Sequence, residues 1–233
     1  MSEGRRPVAF SPMRKAIARR MAQSKREAPH FYVSRDLEMD AALDALAALN
    51  ESRAREERAS VTALLLRALA LTLVEHPAFN AVWVEESLEQ VAAVNIAVAI
   101  DLGESGLIAP ALLGCEAKSV AGISDELRDL VERTRAGKLR AAEISEGTFT
   151  LSNLGMLGVT SFAAIVTLPQ VSTLATGATE ARAVVRDGAI VVRRMMSTTL
   201  SSDHRAVDGA GAARVLATLQ ERLDDAAAWL ASA

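Results

Sequence analysis

The chain has 233 residues, half of them hydrophobic and 24% charged, the proportions of a folded globular domain. A net charge of −3 argues against nucleic acid as the main partner, and 3% aromatic residues leave few platforms on which bases could stack. Cys115 stands alone, so no internal disulfide framework exists, which fits a reducing, cytoplasmic location.

In chain order, residues 1–26 are strongly basic, with Glu3 as their single acid. They read either as an organellar transit peptide or as a basic amphipathic helix of the fold. The helix is favoured: Ser11 can cap it, Pro12 suits its first turn, and Met13, Ile17 and Met21 share one face. Ala28-Pro29 then breaks the chain before a strand at 30–38. A helix is expected from 40 to about 58, and a more buried one, capped by Ser60, to about 75. Strands are expected at 81–84, 91–100 and 107–113, with a turn at 103–106. A helix at 124–137, with Ser124 opening it, precedes strands at 148–152 and 161–166. Two more strands flank the turn Arg186-Asp187-Gly188, the second ending near 200, and a long helix from about 208 to 230 closes the chain. Helices spread among strands predict an α/β fold, a two-layer sandwich with a mixed sheet, in one domain. The apolar runs 61–74 and 91–100 are too short to span a membrane and are interrupted by Arg67 and Asn95.

There are only three histidines, His30, His76 and His204, so they are an economical place to seek chemistry. His76 precedes Pro77 at a helix end, where a cation would favour the dipole, and reads as structural. His30 opens a strand and is ambiguous. His204 lies between the last strand and the last helix with Asp203 before it and Asp208 four residues after. Acidic neighbours can fix the tautomer of an imidazole and tune it as a base. The plainer reading is a loop histidine beside Asp208, the N-cap of the final helix. A Ser152-His204-Asp208 hydrolase is conceivable, but Ser152 lacks the glycine pair of a nucleophile elbow. Metal ligation and a phosphate-binding glycine loop both lack the required spacing.

His204-Arg205-Ala206-Val207-Asp208-Gly209 resembles the His-Arg-x-x-Asp-Gly signature of the acyltransferase component of 2-oxo acid dehydrogenase complexes. Further segments are similar in the same order: Ser11-Pro12-Met13-Arg14-Lys15-Ala16-Ile17, Pro29-His30-Phe31, Asp36-Leu37-Glu38-Met39-Asp40, Val94-Asn95-Ile96-Ala97, Gly106-Leu107-Ile108-Ala109-Pro110 and Gly147-Thr148-Phe149-Thr150-Leu151-Ser152-Asn153-Leu154-Gly155-Met156. The resemblance covers nearly the whole chain and assigns the basic helix to the domain, with 1–10 an extension and 11–233 the catalytic domain.

The resemblance implies a chloramphenicol acetyltransferase-like fold and a homotrimer with active sites between subunits. The implied reaction is reversible acyl transfer, acetyl favoured, between dihydrolipoamide and coenzyme A. His204 would be the general base and Ser152 the oxyanion donor from a neighbouring subunit. Asp208 would orient the active-site loop, with Arg205 or an N-terminal arginine such as Arg14 as partner, and Gly209 would permit close chain approach. Residues gripping the coenzyme's phosphates are not identifiable. The sequence shows no lipoyl or peripheral-subunit-binding domain, so the lipoyl group is expected from another domain or chain, within a pyruvate dehydrogenase-type complex. A larger cubic core stays open: Trp229 and Leu230 could plug a neighbouring trimer, but the last three residues are small. Two alternatives are a non-catalytic trimeric scaffold and a free-standing acetyltransferase acting on another small acceptor.

Overall fold

The computed structural model describes residues 8–103 and 106–231. Most of the expected 1–10 extension, the centre of the turn at 103–106 and the last two residues of the tail lie outside the described residues.

Local signals set the first elements. The Ser11 hydroxyl accepts the Arg14 N–H at 3.1 Å and opens α1 (Pro12–Glu27), with Pro12 in its first turn. Strand β1 (His30–Glu38) follows the proline break. Helix α2 (Asp40–Asn50) stops short of the expected 58 because Asn50 turns its side chain to Ala59, pairing with its carbonyl at 2.9 Å and its N–H at 2.8 Å. Ser60 then caps α3 (Val61–Glu75).

Strands β2 (Ala81–Val84) and β3 (Ser87–Gln90) form a separate hairpin, of which β3 was not anticipated. The run at 91–100 reduces to β4 (Ile96–Val98) and β5 (Ile100–Asp101). Ahead of β4 the buried Asn95 side chain ties down two loops, donating to the Glu146 carbonyl and accepting the Gly114 N–H. Pro110, lacking an N–H, splits the 107–113 segment into β6 (Leu107–Ile108) and β7 (Ala111–Leu112). Helix α4 (Val120–Arg135) begins a turn earlier than expected, since Ser119 and not Ser124 is its cap, accepting the Gly122 N–H at 3.1 Å. A short α5 (Ala141–Ser145) precedes β8 (Phe149–Asn153). Strands β9 (Ser172–Arg186) and β10 (Ala189–Asp203) form a long hairpin around Asp187-Gly188, both with positive φ. The closing helix divides into α6 (Gly209–Asp224) and α7 (Ala226–Ala231).

Six strands form one mixed sheet in the order β1-β10-β9-β8-β4-β7. The β9–β8 and β8–β4 pairs are parallel and the others antiparallel. Val33, Leu200, Leu174 and Leu151 stand side by side across four strands and face the helical layer. Helix α3 is the centre of that layer, with Leu64, Leu65, Leu66, Leu69 and Leu73 fully buried on several faces. Trp229 and Leu230 fold into the same core, so they are packed inside their own chain and not presented as a plug.

Strand alternation turns Tyr32, Ser201, Thr173 and Thr150 to the opposite face of the sheet. Helix α1 and the segment 154–171, which holds one 3-10 turn at Gly155–Leu157, lie on that side. The apolar residues 161–166, expected as a strand, belong to this strap. They pair with no strand, although β1 and β7 stand at the sheet's edges. Side chains hold Val166: its N–H donates to His30 Nε2 at 3.0 Å, and Ser24 donates to its carbonyl at 2.6 Å. Where it crosses β9 only glycine fits, since a Cβ on Gly177 would sit 1.9 Å from the Thr160 carbonyl oxygen.

Candidate active site

His204 stands exposed on the connection from β10 to α6. Its main-chain N–H donates to the Pro29 carbonyl at 2.9 Å, and its ring lies 4.5 Å from that of Phe31. Its ring nitrogens make no hydrogen bond with any described residue, leaving them open to a ligand. On one side of it, Asp203 is completely buried. On the other, Arg205 sends its guanidinium back to that carboxylate, Nη2 to Oδ2 at 2.6 Å and Nε to both oxygens at 3.1 Å. The guanidinium carbon also lies 5.1 Å from the centre of the Trp83 ring.

Asp208 caps α6, its Oδ1 accepting the Gly211 N–H at 2.6 Å. Among the described residues neither Arg205 nor Arg14 pairs with it; the partner of Arg205 is Asp203. Gly209 faces open space, so the close approach expected there is absent.

Ser152 is half-buried on β8, on the sheet face turned from the helices. It is level with Ala175 of β9, which is level with Thr199 of β10. His204 lies five residues beyond Thr199, so strand rise and spacing put the two backbone positions about 16 Å apart along the strands and about 10 Å across them. One chain therefore does not bring Ser152 and His204 together, and a hydrolase triad within a single chain is ruled out. Asn153 turns the chain just past Ser152: its Oδ1 accepts the Gly155 N–H at 2.8 Å, and its Nδ2 donates to Thr62 at 3.2 Å.

The other histidines are tied up in the fold. His30 Nε2 accepts the Val166 N–H, so the proton resides on Nδ1, which donates to the Ala28 carbonyl at 2.7 Å. That makes His30 a neutral latch between β1 and the strap. His76 caps the C-terminus of α3, but burial first, and then the charge of Arg214, lower its pKa. The cation expected at that helix end is thus disfavoured. Burial likewise pushes the Cys115 thiol up to about 11. No group of three His, Cys, Asp or Glu among the described residues is close enough to hold a metal, and no helix among them is long and apolar enough to cross a membrane. Sequence reading missed Trp83, for which no local pattern exists, and left Arg205 without a definite partner.

The family model for 2-oxoacid dehydrogenases acyltransferase (catalytic domain) matches residues 2–231. The dihydrolipoyllysine-residue acetyltransferase component of the pyruvate dehydrogenase complex from Rhizobium meliloti is 39% identical over 223 residues. The match takes in 94% of this chain and 50% of that protein. The chain thus spans about half the length of the curated relatives it matches. Among solved structures, the cubic core of a pyruvate dehydrogenase multienzyme complex aligns with a TM-score of 0.90 and 30% identity, covering 97% of this chain and 93% of that one. The Azotobacter vinelandii dihydrolipoamide acetyltransferase aligns equally well at 29% identity and the same coverage; a serine, a histidine and an asparagine have been investigated in its catalytic mechanism. Chloramphenicol acetyltransferase shares the fold, with a TM-score of 0.55 at 15% identity over 93% of this chain.

Proposed function

The chain belongs to the acyltransferase family of 2-oxo acid dehydrogenases, and from that membership we propose that it moves an acyl group, acetyl first, reversibly between dihydrolipoamide and coenzyme A. One observation carries the assignment of roles. The serine, histidine and asparagine investigated in the Azotobacter protein are spaced along that chain as Ser152, His204 and Asp208 are here. The third position differs, a carboxylate replacing an amide.

Acyl exchange between thiols requires that the attacking thiol lose its proton and that the tetrahedral oxyanion be stabilised. Free thiols and free imidazoles, with pKa values of about 8.5 and about 6.5, are matched closely enough for base catalysis at neutral pH. His204 takes the proton from the attacking thiol and returns it to the departing one. Ser152, whose hydroxyl makes no hydrogen bond to any described residue, donates it to the oxyanion. Because the two residues lie far apart within one chain, the site combines His204 of one subunit with Ser152 of another, in a homotrimer. Asp208 holds the start of α6, and so the end of the His204 loop.

We take residues 11–233 as the catalytic domain and 1–10 as an extension. The lipoyl group arrives on another domain or chain, within a pyruvate dehydrogenase-type complex whose core is built from these trimers. A cytoplasmic location is supported by the single, buried, unpaired Cys115.

The test is acetyl transfer from acetyl-CoA to free dihydrolipoamide, with His204→Ala as control. Transfer by the parent chain and its loss in the variant support the reading. A folded trimer that transfers nothing would refute it and favour a scaffold or another acceptor.

A further inference from the structure

The chemistry proposed above leaves open how an exposed loop histidine keeps a fixed orientation. Its ring has no hydrogen-bonding partner within the described residues; it rests against the Phe31 ring, a contact that sets no direction for its nitrogens. The main chain around it is a different matter. Asp203 Oδ1 accepts the Arg205 N–H at 3.0 Å, closing an aspartate turn whose central residue is His204. The Asp203 carbonyl accepts from Ala206 at 3.1 Å and Val207 at 3.2 Å. The N–H groups of Asp203 and His204 are taken by Val171 and Pro29.

A carboxylate with 0% exposure needs a charged partner, and Arg205 supplies it with three side-chain contacts to both oxygens. The guanidinium is held in turn against the Trp83 ring. Trp83 belongs to the β2–β3 hairpin, which is fastened to the strap by the bond from its own N–H to the Pro169 carbonyl at 2.8 Å. Two residues flanking His204 are therefore joined across it, and the joint is anchored in a separate hairpin.

We propose that the Asp203–Arg205 pair, backed by Trp83, is a positioning device for His204. It fixes the turn that aims the imidazole without touching the reacting atoms. This inference rests on the acyl-transfer reading. A general base displaced by about 1 Å loses up to about 10²-fold in rate, so the device acts on turnover rather than on binding.

The test compares Arg205→Lys, Arg205→Ala and Trp83→Leu with the parent chain, leaving the buried Asp203 intact. Arg205→Lys keeps the charge and loses the fork; it is expected to lower kcat about tenfold or more with KM for acetyl-CoA within about twofold. Arg205 and Trp83 both line an open cleft of about 470 Å³, so guanidinium ion can reach the vacated place. Added guanidinium should restore part of the kcat of Arg205→Ala and do nothing for His204→Ala. Unchanged kcat in both Arg205 variants would overturn the proposal, and so would a raised KM with kcat intact, which would make Arg205 a substrate contact. Should the parent chain itself transfer no acetyl group, the reaction assignment fails separately. The positioning claim is then judged by crystal structures of the parent and Arg205→Lys: a displaced His204 ring supports it and an unmoved ring refutes it.

Discussion

Ser152 is level with Thr199 across two strand pairings, and His204 lies five residues farther along the same strand direction. A site that uses both must draw them from different subunits. His204→Ala is expected to lower turnover by about 10²–10⁴ and Ser152→Ala by about 10²–10³. Co-expressing the two inactive variants should recover activity, up to about a quarter of the parent's for random trimers, because some interfaces then pair an intact serine with an intact histidine. Mixed trimers as inactive as either parent variant would contradict a shared site.

Asp208 anchors the first turn of α6 through Gly211. Asp208→Ala should cost about 1 kcal/mol of stability, within the range of about 0.5–2 for a lost cap. Asp208→Asn keeps a capping oxygen and should retain most of both stability and activity, in line with the asparagine of the Azotobacter relative. Calorimetry and light scattering on the two variants measure the difference; equal loss in both would mean that the charge, not the cap, matters.

His30 satisfies one N–H of the strap and one carbonyl before β1. His30→Ala should therefore destabilise the fold by about 1–3 kcal/mol, the cost of leaving such groups unpaired. Urea unfolding measures it. A variant as stable as the parent would show that water replaces the ring without cost.

His76 gives a pH dependence of defined sign. Burial, followed by Arg214, puts its folded pKa below the ordinary value of 6.5, so the unfolded chain takes up a proton first as the pH falls. Its neutral-form contribution is complete above about 6.5 and is lost as the pH drops towards the lower folded value. Replacing it with glutamine, which can still reach Thr218, should flatten the loss of stability between pH 7 and 5. Urea midpoints across that range decide the point, and an identical slope would reject it.

Cys115 is fully buried and its thiol is raised to about 11. Thiol reagents at pH 8 should leave it unmodified until the protein unfolds, because the reactive thiolate is scarce and shielded. Modification of the native protein at the rate of a free thiol would show that this region opens.

What the sequence determined by itself was local. Ser11 and Ser60 announce helix starts because a hydroxyl two or three residues from a free N–H needs no distant partner. Proline ends and Asp187-Gly188 turns the chain for equally short-range reasons. The ordered motifs pointed to the family, and within them His204, Ser152 and Asp208 could be singled out. Tertiary structure decided whatever depended on remote occupancy. Residues 161–166 have strand composition, but side chains remote in sequence, His30 and Ser24, take the main-chain groups of Val166, and the segment becomes a strap. Trp229 could have been a plug until its core proved to be its own. The buried Asp203 chose Arg205 from the several arginines available, and Asp208 was left to its helix. The distance from Ser152 to His204 within one chain is a matter of strand register, which no local spacing encodes, because it is fixed by which strands pair and at which residues.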